Sequence, residues 1–146
     1  PKYRGGSPLQ HQIIAGEEKS AVTIFKAGDG IDTGDIYSQT SFSLSGNIEQ
    51  IFNRIVRVGS KDTLKVINGI TKNNLSPTPQ DNNKATVFKR RKSSESELTP
   101  QDFRTKTAEE LYNFIRCLTG PYPNAFIRGK DGKKIFLTGV KLKNED

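Results

Sequence analysis

The stretch Gly28-Asp29-Gly30-Ile31-Asp32-Thr33-Gly34-Asp35-Ile36 decides the fold. Three acids stand among three glycines directly after the apolar run Ala21-Val22-Thr23-Ile24-Phe25, so a strand delivers a flexible, acid-bearing loop to its own carboxyl end. In open α/β sheets that is where ligands bind. Gly and Asp are also what any solvated turn uses, and the loop alone does not separate the two readings.

Upstream, Pro1-Lys2-Tyr3-Arg4-Gly5-Gly6-Ser7-Pro8 is a loop by chemistry, because two prolines bracket a Gly pair that lets the backbone approach a ligand. Ser7 reads as an N-cap with Pro8 at the first helical position, opening a short helix through Leu9, Ile13 and Ile14 to Gly16. A Gly-rich loop feeding a helix can hold an anion. With no GxGxxG and no GxxxxGK[ST], however, neither a dinucleotide site nor a P-loop is supported. His11 has no Ser, Asp or Cys partner spaced to make a triad, so it reads as a surface or packing residue.

Residues 20–27 and 35–44 read as strands flanking the acidic loop, enriched in Thr, Val, Ile, Tyr and Phe. Ile48, Ile51, Phe52 and Ile55 then form a helical stripe, which Leu64, Ile67 and Ile70 continue past a weak point at Gly59. Residues 71–84 lose any apolar period and read as a linker. Beyond it, Ala85-Thr86-Val87-Phe88 is a short strand, and Lys89-Arg90-Arg91-Lys92 is either a nucleic-acid patch or a solvated loop. The run is diluted at once by Ser93-Ser94-Glu95-Ser96-Glu97 and has no interleaved aromatic of the kind that stacks bases. Thr107-Ala108-Glu109-Glu110 is a capping box for a helix carrying Leu111, Phe114, Ile115 and Leu118, stopped by Gly120-Pro121. Residues 126–140 read as a hairpin.

The 146 residues are 32% hydrophobic, enough for one domain or one and a half with a modest core. The net charge of +7 is uneven: residues 1–70 hold eight cations against seven acids, residues 71–146 fifteen against nine. A basic second half steers anionic partners such as phosphates, nucleotides or RNA. No apolar run approaches the roughly 18 residues of a membrane span, and no signal-like amino end is present, so membrane association and export are not expected. Cys117 and His11 are the single residues of their kinds, which rules out an internal disulfide and a His/Cys zinc site, so no metal is expected and a reducing cytoplasm is the natural compartment. Cys117 itself reads as a packing residue. The chain holds no Met and opens on Pro1, which reads as a piece of a longer polypeptide.

Taken together, Pro1-Lys2-Tyr3-Arg4-Gly5-x-x-Pro8 and, about twenty residues on, a Gly-x-Asp32-x-Gly34-Asp35 turn after a Val-Thr-Ile strand resemble the second half of the catalytic domain of folate-dependent formyltransferases. That family includes methionyl-tRNA formyltransferase and the sugar-nucleotide N-formyltransferases. The resemblance covers residues 1–70 specifically. Residues 85–140 resemble the family's carboxyl-terminal subdomain more loosely, through Arg90-Arg91, Arg116 and Pro121-Tyr122-Pro123-x-Ala125-Phe126. It implies an α/β fold: the carboxyl-terminal part of a Rossmann-like domain over 1–70, a linker over 71–84 and a small α+β or OB-like barrel subdomain over 85–146.

The resemblance further implies formyl transfer from 10-formyltetrahydrofolate to a primary amine through a tetrahedral oxyanion, which needs an oxyanion stabiliser, a proton shuttle and a carboxylate that favours the protonated histidine. Asp32 matches the carboxylate. By the same implication Pro1, Lys2, Tyr3 and Arg4 together with Gly28, Asp29, Gly30 and Ile31 line the folate pocket, with no metal. The family's Asn and His precede its first motif proline, which is Pro1 here, so the chain is expected to be inactive alone. The motifs lie closer to the sugar-nucleotide branch, with methionyl-tRNA the alternative acceptor favoured by the basic second half. A non-catalytic basic binding module is the reading from another class. A sheet cut through its middle leaves homo-oligomer formation open.

Overall fold

The computed structural model describes residues 1–143. Along the chain run β1 (Arg4–Gly5), α1 (Pro8–Ile14), β2 (Lys19–Phe25), β3 (Ile36–Ser43), α2 (Ile48–Thr71), β4 (Val87–Phe88), α3 (Pro100–Thr105), α4 (Ala108–Cys117), β5 (Ala125–Arg128) and β6 (Lys134–Leu137). The last three residues of the expected 85–146 segment, 144–146, lie outside the described residues.

The two strands around the acidic loop form where the β-branched and aromatic residues demand them, and they pair antiparallel, from Lys19 opposite Ser43 to Phe25 opposite Ile36. The acidic loop is therefore the connection of a hairpin between the two expected strands. The pairing is possible because residues 26–35 double back on themselves: Lys26 N–H donates to the Asp35 carbonyl at 2.9 Å, and a Cβ on Gly34 would overlap the Lys26 carbonyl oxygen.

On this hairpin packs α2. Its start is fixed by a capping box in which Asn47 Oδ1 accepts from Gln50 N–H at 2.9 Å and Gln50 Oε1 accepts from Asn47 N–H at 3.1 Å. The helix runs unbroken through Gly59, so the expected weak point is absent. A Cβ placed there would meet only Val22 Cγ1, at 3.7 Å.

Residues 72–86 return to the hairpin and then to the opening turn. Ile36 and Thr78 exchange both backbone hydrogen bonds at 2.8 Å, and Arg4 N–H donates to the Thr86 carbonyl at 2.8 Å. The parallel pair β1–β4 follows, with Arg4 opposite Val87 and Gly5 opposite Phe88. One buried cluster draws on both sides of this segment: Ile13, Leu44, Ile48 and Ile51 pack with Leu98, Phe114, Ile115, Leu118 and Ala125. The helix α4 begins at the expected Thr107–Glu110 box, and β5 pairs antiparallel with β6. Among the described residues no barrel closes after residue 85; the α+β form is the one present.

Candidate active site

Asp32 and the opening turn meet. Its Oδ2 accepts from Gly5 N–H at 2.8 Å across 27 residues of sequence. Two backbone conformations make the contact possible. Gly5 has φ +94°, with the Phe88 carbonyl oxygen 2.5 Å from where a Cβ would stand. Asp32 has φ +55°, in the left-handed region that Asp tolerates better than most residues.

A cavity of about 370 Å³ lies at this junction, within the usual size range of ligand pockets. Pro1, Lys2, Tyr3, Arg4 and Asp32 all line it. Its apolar lining comes from Leu9, Val22, Phe25, Ile36, Phe42 and Ile55, and its polar groups include Gln12, Ser20, Thr23, Gln39 and Gln80. Gly28, Asp29, Gly30 and Ile31 are not among the lining residues, and Ile31 is 75% exposed. Of the expected set, the structure therefore brings together Asp32 and the opening turn and leaves the 28–31 arm outside the cavity. The Tyr3 hydroxyl donates to Glu17 Oε1 at 2.9 Å; partial burial, with this carboxylate second, raises its pKa above the ordinary phenol value.

Gln12 Oε1 is buried without a hydrogen-bond partner among the described residues. A buried carbonyl of this kind seeks a donor. A flat, partly apolar ligand that carries amino and ring N–H groups, as a tetrahydrofolate does, supplies such a donor, so the lining fits that class of molecule.

Other expectations fall out as follows. Ser7 does not cap α1: its φ is +53°, and its Oγ instead accepts from the Arg91 backbone N–H at 3.1 Å. His11 bonds the Lys89 carbonyl through Nε2 at 3.1 Å and packs on the Phe88 ring, so it is a packing residue and does not line the cavity. Arg91 bonds the Glu95 carbonyl at 2.5 Å and lies over the Phe114 ring. Cys117 is fully buried, and desolvation pushes its thiol up to about 12, which makes it inert. Among the described residues no group of three His, Cys, Asp or Glu could hold a metal, and no helix is long and apolar enough to cross a membrane.

Composition did not reveal Gln80, which bonds the loop and Arg4, or Asn82, which bonds Arg4. Gln80 Nε2 donates to the carbonyls of Asp32 and Gly34, at 3.0 and 2.6 Å. Its Oε1 accepts from Arg4 Nη2 at 2.8 Å, and Asn82 Oδ1 accepts from the same nitrogen at 3.0 Å. The local sign was Pro77 and Pro79, which stiffen the backbone leading into Gln80.

An acid on a hairpin loop, tied to a Gly-rich opening turn over a part-apolar cavity, forms a site of small-molecule size, and residues 1–67 match the formyl transferase family model. The chain is 37% identical over 128 residues to the methionyl-tRNA formyltransferase of Lachnospira eligens, covering 86% of this chain and 39% of that protein. Its structure superposes on methionyl-tRNA formyltransferase from Clostridium thermocellum with a TM-score of 0.74 at 36% identity, covering 93% of this chain and 62% of that one. It also superposes on the N-formyltransferase from Helicobacter canadensis in complex with folinic acid and dTDP-3-aminofucose, with a TM-score of 0.69 at 27% identity, covering 80% and 43%. The chain thus spans less than half the length of the curated relatives it matches.

Proposed function

We propose that this chain contributes to transfer of a formyl group from 10-formyltetrahydrofolate to a primary amine, with an amino-sugar nucleotide as the acceptor. The observation that carries the reading is the 2.8 Å bond from Gly5 N–H to Asp32 Oδ2, which sets the carboxylate among the lining residues of the cavity. Bound folate supplies the formyl carbon. The opening turn and Gln12 hold the donor, and Lys2 gives a cation for its anionic tail. Asp32 keeps a negative charge at the site, which favours the protonated state of a neighbouring imidazole and so readies a proton for the developing oxyanion. His11, turned to Lys89, does not serve as that imidazole. The division into a catalytic part over 1–70 and a smaller part over 85–146 joined by 71–84 belongs to the same proposal.

The acceptor assignment rests on Arg90-Arg91 and Pro121-Tyr122-Pro123-x-Ala125-Phe126, and on the dTDP-3-aminofucose in the Helicobacter canadensis enzyme. Methionyl-tRNA is the second reading, favoured by the name of the Lachnospira eligens relative and by the basic second half. Mass spectrometry after incubation of the full-length protein that carries this chain with 10-formyltetrahydrofolate and each amine tests both, and a formamide on the nucleotide sugar is the expected product. A salt titration separates them independently. Binding of tRNA falls steeply and log-linearly with salt, whereas a nucleotide sugar touching few cations is much less sensitive. Formylation of methionyl-tRNA alone overturns the sugar assignment, and formylation of neither amine overturns the proposal.

A further inference from the structure

We propose that Gln80, anchored by Arg4, is a positioning residue that fixes the Asp32 carboxylate without neutralising it; the catalytic part of this inference rests on the formyl-transfer reading above. Asp32 holds φ +55°, a conformation that persists in a non-glycine residue only where its surroundings over-determine it. Gln80 supplies that determination. A primary amide has two N–H donors and one carbonyl, and here both donors are used on the same loop, at the carbonyls of Asp32 and Gly34, while the oxygen faces the Arg4 guanidinium. The reverse orientation of the amide would set donors against Arg4 and an oxygen against two carbonyls, so the network itself fixes which way the side chain points.

Arg4 is only 8% exposed, and Asn82 Oδ1 takes a second bond from it. This chain of contacts explains a feature of the charge. Had the buried guanidinium paired directly with Asp32, the carboxylate's field would be cancelled; interposing a neutral amide lets Arg4 hold the loop while Asp32 takes only a backbone N–H, from Gly5. Among the described residues no cation lies within ion-pair distance of Asp32. The donor for this strap lies 46–48 residues from the two loop carbonyls it bonds.

Amide hydrogen exchange on this chain tests the inference, because two neighbouring amides report different things. Gly5 N–H bonds Asp32, and Gly6 N–H bonds the Phe88 carbonyl at 2.9 Å in the β1–β4 pair. Gln80→Ala is expected to lower Gly5 protection about tenfold while leaving Gly6 protection unchanged. Gln80→Glu is expected to do the same, since a carboxylate still accepts from Arg4 but cannot donate to the loop. Adding Gln80→Ala to Asp32→Ala is expected to lower Gly5 protection no further, because Gln80 acts through Asp32. Unchanged Gly5 protection in Gln80→Ala, or equal losses at Gly5 and Gly6, overturns the strap. Neither result depends on formyl transfer, so a failure here is distinct from a failure of the proposed reaction.

Discussion

At the scale of single residues, the site is built from positions where one atom more or less decides the outcome. Gly34 is such a position, because a Cβ would overlap the carbonyl oxygen of Lys26, whose N–H closes the hairpin loop by donating to the Asp35 carbonyl. Gly34→Ala is expected to destabilise by about 3 kcal/mol, read as a lower urea midpoint at unchanged m-value; an unchanged midpoint would show that the loop is looser than described. Cys117 makes a second prediction. Its thiol, pushed up to about 12 by burial from an ordinary 9.0, binds its proton more tightly folded than unfolded. Its stabilising contribution is therefore full below pH 9.0 and is lost as pH rises toward about 12. Alkylation at pH 8 should be negligible in the native chain and rapid in urea, and fast native labelling would contradict the burial. Asp32 was legible in the sequence because its neighbours Gly30, Gly34 and Asp35 form a recognisable pattern. Gln80 and Asn82 were not, because they act on Arg4 from 76 and 78 residues away and no local periodicity marks a residue whose partners are that remote.

At the scale of elements, legibility followed how local the determining physics is. The α4 helix was readable because its cap, Thr107 with Glu110, and its stripe of Leu111, Phe114 and Ile115 lie within one continuous segment. Ser7 misled for the opposite reason. Serine before proline is an N-cap pattern, yet the chain needs its hydroxyl for Arg91, whose N–H reaches it across 84 residues. The antiparallel pairing of β2 with β3 was likewise not fixed by composition, since strand propensity says nothing about direction. Two predictions belong here. Thr107→Ala removes the bond to Glu110 N–H and should cost about 1 kcal/mol of stability in thermal unfolding. Gly59→Ala should instead stabilise by about 0.5–1 kcal/mol, because α2 is continuous there and Val22 leaves room for a methyl group. A loss of stability in Gly59→Ala would show that the helix does bend at that point.

At the scale of the whole molecule, the opening turn, the hairpin and the returning segment 72–86 converge on one cavity, while a single hydrophobic cluster backs them with residues from both halves of the chain. Arg116 ties the halves directly, donating to the Leu44 carbonyl at 2.6 Å and the Gly46 carbonyl at 2.9 Å from a buried position that lowers its pKa through desolvation. Such a core should melt in one cooperative thermal transition. What this frame accomplishes is to hold one carboxylate, unneutralised, beside the opening turn. The turnover number for formyl transfer with Asp32→Asn in the full-length protein that carries this chain measures that most directly. The amide oxygen still accepts from Gly5 N–H, so the fold and its melting temperature should persist. Only the charge is gone, and a fall in kcat of about 100-fold or more is predicted. A kcat close to that of the unsubstituted protein, with the same melting temperature, would contradict the role assigned to this residue.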